Sequence, residues 1–219
     1  PEDMELLFNS LRVRGRNYEY VHRYLDRPIA KNKKYKVALI KHPYYSTTCP
    51  FICKQFEKWF NQLSSPSIEV LKISPPSFLN KIHSLHKTIY HKSLSYYFKN
   101  ENLSSPKVSD SFKEIVEEGA QITTASYLKA LEAQVSLKQQ WDSFSRQFDI
   151  LLTPGTSTEA PVGLTTTEPF DSNLIWTFLG VPTMMVPGLR GQDNLPVGIL
   201  SIASSYQDNM LIDFIKMLK

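Results

Sequence analysis

Tyr35-Lys-Val-Ala-Leu-Ile40 and Ile68-Glu-Val-Leu-Lys-Ile73, with the apolar set Ile52, Phe56, Trp59, Phe60 and Leu63 between them, decide the fold class. The first run is β-branched and aliphatic and ends before His42 and Pro43. The second alternates apolar with polar residues and ends before Pro75 and Pro76, so both read as strands. The set between them recurs at three and four residues, the helical period. Strand, helix and strand in this order close as a right-handed crossover between parallel strands. The reading is an α/β protein.

Working outward, Met4, Leu7, Phe8 and Leu11 predict a helix from a cap at Asp3 to about Arg14. Downstream, Ile82, Leu85, Ile89 and Tyr96 mark a helix, and Leu137, Trp141, Phe144 and Phe148 stripe a long one. Between these, Ser111 and Glu114 have capping-box spacing for a short helix that Gly119 would end. Asp149-Ile-Leu-Leu152, Met184-Met-Val186 and Val197-Gly-Ile-Leu-Ser-Ile-Ala203 are short apolar runs between turn residues and predict further strands of one sheet. Met210, Ile212, Ile215 and Leu218 predict a closing helix. The expected architecture is a mixed central sheet flanked by helices.

Composition bounds the function. With 219 residues, 42% hydrophobic and 21% charged, the chain can bury a core and is neither disordered nor of low complexity. Residues 1–148 hold 22 Lys/Arg against 14 Asp/Glu and residues 149–219 hold 3 against 7, so the two parts carry +8 and −4. The basic excess around Lys31, Lys33, Lys34 and Lys36 has no nucleic-acid-binding motif about it and reads as a solvated loop. Nucleic acid is not an expected partner; binding there would require affinity that falls steeply with salt. The longest uncharged stretch, between Asp171 and Arg190, holds Gly180, Pro182 and Pro187 and is too short for the ~30 Å of a bilayer core, so no membrane span is expected. Cys49 and Cys53 lack the second ligand pair of a zinc site. They favour a reducing, cytoplasmic location, although a helix start can lower a thiol's pKa. His83, His86 and His91 lie on one predicted helix without an adjacent acid, so no metal is expected. No secretory leader is visible, and without a Met at position 1 the chain is expected to begin further upstream.

Phe148-Asp-Ile-Leu-Leu-Thr-Pro154, Asn173-Leu-Ile-Trp-Thr-Phe-Leu-Gly-Val-Pro182, Val186-Pro187 and Leu195-Pro-Val-Gly-Ile199 occur in this order, and together they resemble the carboxyl-terminal half of the amidase signature family. Pro1-Glu-Asp-Met-Glu-Leu-Leu and the pair Tyr127 and Ala130 are similar to upstream helices of that family. The resemblance implies one amidase-like domain, of which residues 1–219 are the carboxyl-terminal part. It implies hydrolysis of amide carbon-nitrogen bonds by a serine nucleophile, a bridging serine and an unprotonated lysine, without cofactor. A serine hydroxyl attacks only when a base takes its proton, and a glycine-rich loop supplies the oxyanion hole. The Gly/Ser-rich stretch that carries these groups is not in this sequence. Thr153-Pro-Gly-Thr-Ser-Thr158, followed by Glu159, reads as a loop after a strand. No catalytic residue is therefore expected in these 219 residues, and the partner required is the amino-terminal half of the domain.

The same resemblance implies that Phe170, Asn173, Trp176 and Thr177 line the pocket for a small amide, two aromatics as walls and an amide and a hydroxyl as orienting groups. Trp176 and Phe178 could equally be core. Gln134 stands where the tRNA-dependent glutamine amidotransferase branch carries an arginine for the glutamine carboxylate. A neutral Gln cannot make that charge-assisted pair, which points to uncharged or aromatic amides. At Ile199-Leu200 the family often has Leu-Gln, so an amide is lost. The alternatives are a non-catalytic binding or scaffold lobe, or a part similar to the amidase-like subunit of that tRNA-dependent glutamine amidotransferase. Self-association into a homo-oligomer is left open.

Overall fold

The computed structural model describes residues 2–13, 15, 17, 25, 28–30, 32–101, 103–163 and 171–218. They form two units, one of residues 1–76 with 141–219 and one of residues 77–140.

The first unit is built on β1 (Tyr35–Ile40), β2 (Ile68–Ile73), β3 (Ile150–Pro154), β4 (Thr183–Arg190) and β5 (Pro196–Ile202), in the order β2-β1-β3-β5-β4. β1 runs parallel to β2, from Tyr35 opposite Ile68 to Ile40 opposite Ile73, and parallel to β3 through Val37 and Ile150. β5 lies antiparallel to both β3 and β4. The sheet is mixed, as the sequence predicts. β1 is buried at every position except Lys36, which is why it reads as an almost unbroken apolar run.

One face of the sheet carries Val37, Leu39, Ile150, Leu152, Val197 and Ile199. It packs on Ile52, Phe56 and Phe60 of α2 (Pro50–Gln62) and on Leu211, Phe214 and Ile215 of α7 (Asp208–Met217). Each such side chain contributes roughly 1.5–3 kcal/mol when fully buried. Tyr35 adds a polar tie: its hydroxyl donates to Asp213 Oδ2 at 2.6 Å, and burial with that carboxylate raises its pKa far above the ordinary tyrosine value. α1 (Glu2–Leu11) begins one residue before Asp3, stops short of Arg14 and buries none of its residues. Asp3 thus belongs to its first turn rather than capping it.

The lysines before β1 are partly engaged. Lys33 pairs with Asp149 at 2.8 Å, and Lys36, inside the strand rather than in a loop, holds its ammonium over the Phe148 ring. Lys31 lies outside the described residues. No described helix is long and apolar enough to cross a membrane.

The second unit holds α3 (Ile82–Tyr97), α4 (Asp110–Gln121) and most of α5 (Thr124–Ser145). Two expectations for α4 are corrected. Its cap is Ser109, whose extended backbone precedes Asp110 and whose hydroxyl accepts from Phe112 N, so Ser111 lies inside the helix. Nor does the helix end at Gly119. A β-carbon there would stand 2.0 Å from the carbonyl oxygen of His91, so this glycine serves a close helix crossing instead of a terminus. That crossing also brings Glu118 to His91 Nδ1 at 3.0 Å and to Lys87 at 2.9 Å. An acid therefore does approach the histidines, from a helix distant in sequence. Lys87 holds that carboxyl below its usual pKa, and burial lowers His86.

Candidate functional site

Side chains alternate along a strand, so Thr153, beside Leu152, faces away from the α2 and α7 core. So does Leu200, opposite Thr153 and Met185 in the ladder. This second face is covered by α6 (Asp171–Leu179), a helix where the sequence analysis expects only strands and turns. Four of its residues, Ile175, Trp176, Phe178 and Leu179, are buried. At nine residues it is shorter than the roughly 11–18-residue window over which a helical period is read. Gly180 ends it with φ of 65° and donates its N–H to Trp176 O at 2.9 Å, a left-handed cap that favours glycine.

Asn173 fixes the start of the helix to the sheet: Nδ2 donates to the Gly155 carbonyl at 3.1 Å. That bond sets the carboxamide's orientation and leaves Oδ1 buried with no hydrogen-bond partner among the described residues. Trp176 is 1% exposed and meets Trp141 with ring centroids 5.3 Å apart, and its Nε1 likewise has no partner among the described residues. Thr153 Oγ1, from the sheet below, is a third such atom. A buried polar atom without a partner costs about 1–3 kcal/mol, and the two on Asn173 and Trp176, which line one cavity, call for a group that would meet them.

The cavity measures about 380 Å³. Asn173, Trp176 and Thr177 line one side and Thr183, Met185 and Leu200 the other, with Gly180 and Val181 between. Three of the five expected substrate-binding residues thus come together. Phe170 lies outside the described residues, and Gln134, on α5 in the second unit, is not in this lining. Thr177 is exposed, and its hydroxyl is spent on Asn173 O within the helix at 3.3 Å. Trp176 is both core and wall. The strand residues were not foreseen as lining, although Met185 stands in alternation with Met184 and Val186. Met185 is the adaptable element here: its thioether occupies the space that a β-carbon on Gly155 or on Gly198 would take, 2.3 Å from either. Leu200, where the family often has an amide, makes that wall apolar. Among the described residues the lining has no titratable side chain.

Glu159 holds the turn between β4 and β5. Its two carboxylate oxygens accept from Asp193 N at 2.9 Å and Leu195 N at 3.1 Å. Glu159→Ala is expected to destabilise the chain by about 1 kcal/mol, low for charged hydrogen bonds because the site is exposed. The check is faster amide exchange confined to residues 191–195 together with a lowered urea midpoint; unchanged exchange would show that the turn holds itself.

The cysteines stand apart from this cavity. Cys49 precedes α2, and burial raises the Cys53 thiol, against a lowered pKa at that helix start. Among the described residues no group of three His, Cys, Asp or Glu side chains converges as a metal site would require.

The model of the Amidase family matches residues 11–212. The chain belongs to the amidase family. A curated relative, a glutamyl-tRNA(Gln) amidotransferase subunit of Wolinella succinogenes, is 30% identical over 95 residues, 41% of this chain and 21% of its own length. A crystal structure of an amidase superposes with a TM-score of 0.76 at 18% identity, covering 87% of this chain and 46% of that one. The corresponding glutamyl-tRNA(Gln) amidotransferase subunit of Thermotoga maritima gives 0.64 at 17%, covering 85% and 42%. This amidase-family chain therefore shares the amidase fold and spans less than half of the solved structures it matches.

Proposed function

We propose that these 219 residues are the carboxyl-terminal part of a hydrolase of amide carbon-nitrogen bonds. On this reading the nucleophilic serine, the bridging serine and the lysine lie in sequence upstream, and this part supplies one wall of the substrate pocket. The observation that carries the reading is the cavity between α6 and β4, where an unmet acceptor, Asn173 Oδ1, and an unmet donor, Trp176 Nε1, adjoin apolar walls. An amide offers one donor and one acceptor and meets both. Rotation of Met185, an unbranched and adaptable side chain, would open the way to them. Apolar Leu200 in this wall favours an uncharged or aromatic amide; the same preference is proposed for the neutral Gln134 on the resemblance alone. Phe170 is proposed as a further wall.

The test is turnover of a panel of small amides by the whole gene product, this chain with the sequence preceding it in frame. Asn173→Ala is expected to raise KM about tenfold, the loss of one hydrogen bond of roughly 1.4 kcal/mol. Serine-dependent turnover by the 219 residues alone would overturn the proposal. A second reading, a part of a glutamine-dependent amidotransferase, is favoured by the relative in Wolinella succinogenes. It predicts that glutamine is the preferred substrate of the panel.

A further inference from the structure

The Gly155 N–H donates to the Gly198 carbonyl at 2.8 Å, which sets the two glycines side by side on the sheet face that α6 covers. Neither has a side chain, so together they form a trough floored by backbone. Met185 of β4 lies in it. Its Sδ stands 2.3 Å from where a β-carbon would be on either glycine, with Cε 2.5 Å from that on Gly155 and Cγ 2.6 Å from that on Gly198. Met185 lines the cavity between α6 and β4 and the two glycines do not, so its thioether shuts the trough off from the cavity. The trough starts beside the oriented carboxamide, because the carbonyl of the same Gly155 accepts from Asn173 Nδ2 at 3.1 Å. Met185 is unbranched and 44% exposed, so it leaves by rotation about its own side-chain bonds without movement of the backbone.

We infer that Met185 is a movable plug that sets the substrate specificity of this site: an amide with a narrow, unbranched apolar chain displaces the thioether and lays that chain over Gly155 and Gly198. The inference rests on the reading above that the cavity holds an amide. The vacated space has the shape of the side chain that leaves it, and takes an unbranched run of about three to four heavy atoms. The amide group stays with Asn173, and the chain runs from it across the glycine next to it. A chain that ends in a carboxylate meets no cation among the described lining residues, so the site selects against it.

Acetamide and hexanamide test this on the whole gene product, with two readings. In NMR spectra of isotope-labelled methionine methyl groups, hexanamide is expected to shift the Met185 signal, identified by its loss in Met185→Leu, and acetamide to leave it in place. In turnover, Gly198→Ala puts a β-carbon into the trough and is expected to raise KM for hexanamide about tenfold with that for acetamide unchanged. Met185→Ala removes the plug and is expected to lower KM for hexanamide by a similar factor. A Met185 signal unmoved at saturating hexanamide would overturn the inference, as would variants that change both amides equally, and the first of these does not depend on Gly198→Ala folding. A hexanamide-dependent shift in a product that hydrolyses neither amide would keep the plug and sink the hydrolase reading. Turnover of both amides with the signal unmoved would do the reverse.

Discussion

Trp176→Ala is expected to cost about 4 kcal/mol, the range for truncating a fully buried aromatic residue in a core that cannot collapse around the void. Trp176 is 1% exposed and stands against Trp141, itself fully buried, in a tilted pair with centroids 5.3 Å apart. About 1 kcal/mol of the loss is the ring pairing, and the rest is transfer and cavity. Trp176→Phe separates packing from chemistry. It removes an indole N–H that has no partner among the described residues, so the smaller volume is partly offset by deletion of an unmet donor, and the net cost is expected to be ~1 kcal/mol. If the donor serves a bound amide, Trp176→Phe raises KM while lowering the urea midpoint by no more than that loss of about 1 kcal/mol implies. A variant that lost stability and kept its KM would assign Trp176 to the core alone.

Gly119→Ala is expected to destabilise the helical unit by about 2 kcal/mol, the balance of two opposed effects. Alanine in a helix gains up to ~1 kcal/mol over glycine from propensity, and at an open position it would stabilise. Here the new β-carbon would stand 2.0 Å from His91 O and 2.5 Å from His91 C. Both are backbone atoms of α3, so no rotamer change relieves the clash and the helices must separate, at the ~3 kcal/mol end of overpacking costs. Separation also loosens the contacts of Glu118 with Lys87 and His91. Urea unfolding followed by circular dichroism reads the change, and a neutral or stabilised Gly119→Ala would show that α3 and α4 have slack at this crossing.

These two positions show where the sequence could be read and where it could not. α2 and β2 were legible because each carries its own period, and β1 because a short, almost unbroken apolar run reads as a strand buried on both faces. The family was legible from motifs in fixed order. The cavity was legible in Asn173, Trp176 and Thr177, which the resemblance implies, but Thr183, Met185 and Leu200 came only with the ladder that sets Met185 opposite Leu200. α6 escaped because its nine residues are fewer than the roughly 11–18 over which a helical period is read.

The amino-acid sequence by itself determined the local order of strands and helices, the mixed sheet they imply and the family to which the chain belongs. Those rest on short-range periodicity and on motif order along the chain. Only the tertiary structure decided that Ser109 caps α4, that Gly119 admits a neighbouring carbonyl, and that Asn173 reaches Gly155, 18 residues away. Each depends on backbone placed by packing rather than by its own neighbours. Gly119, which the sequence offered as the end of a helix, lies inside one because the His91 carbonyl of another leaves no room for a side chain.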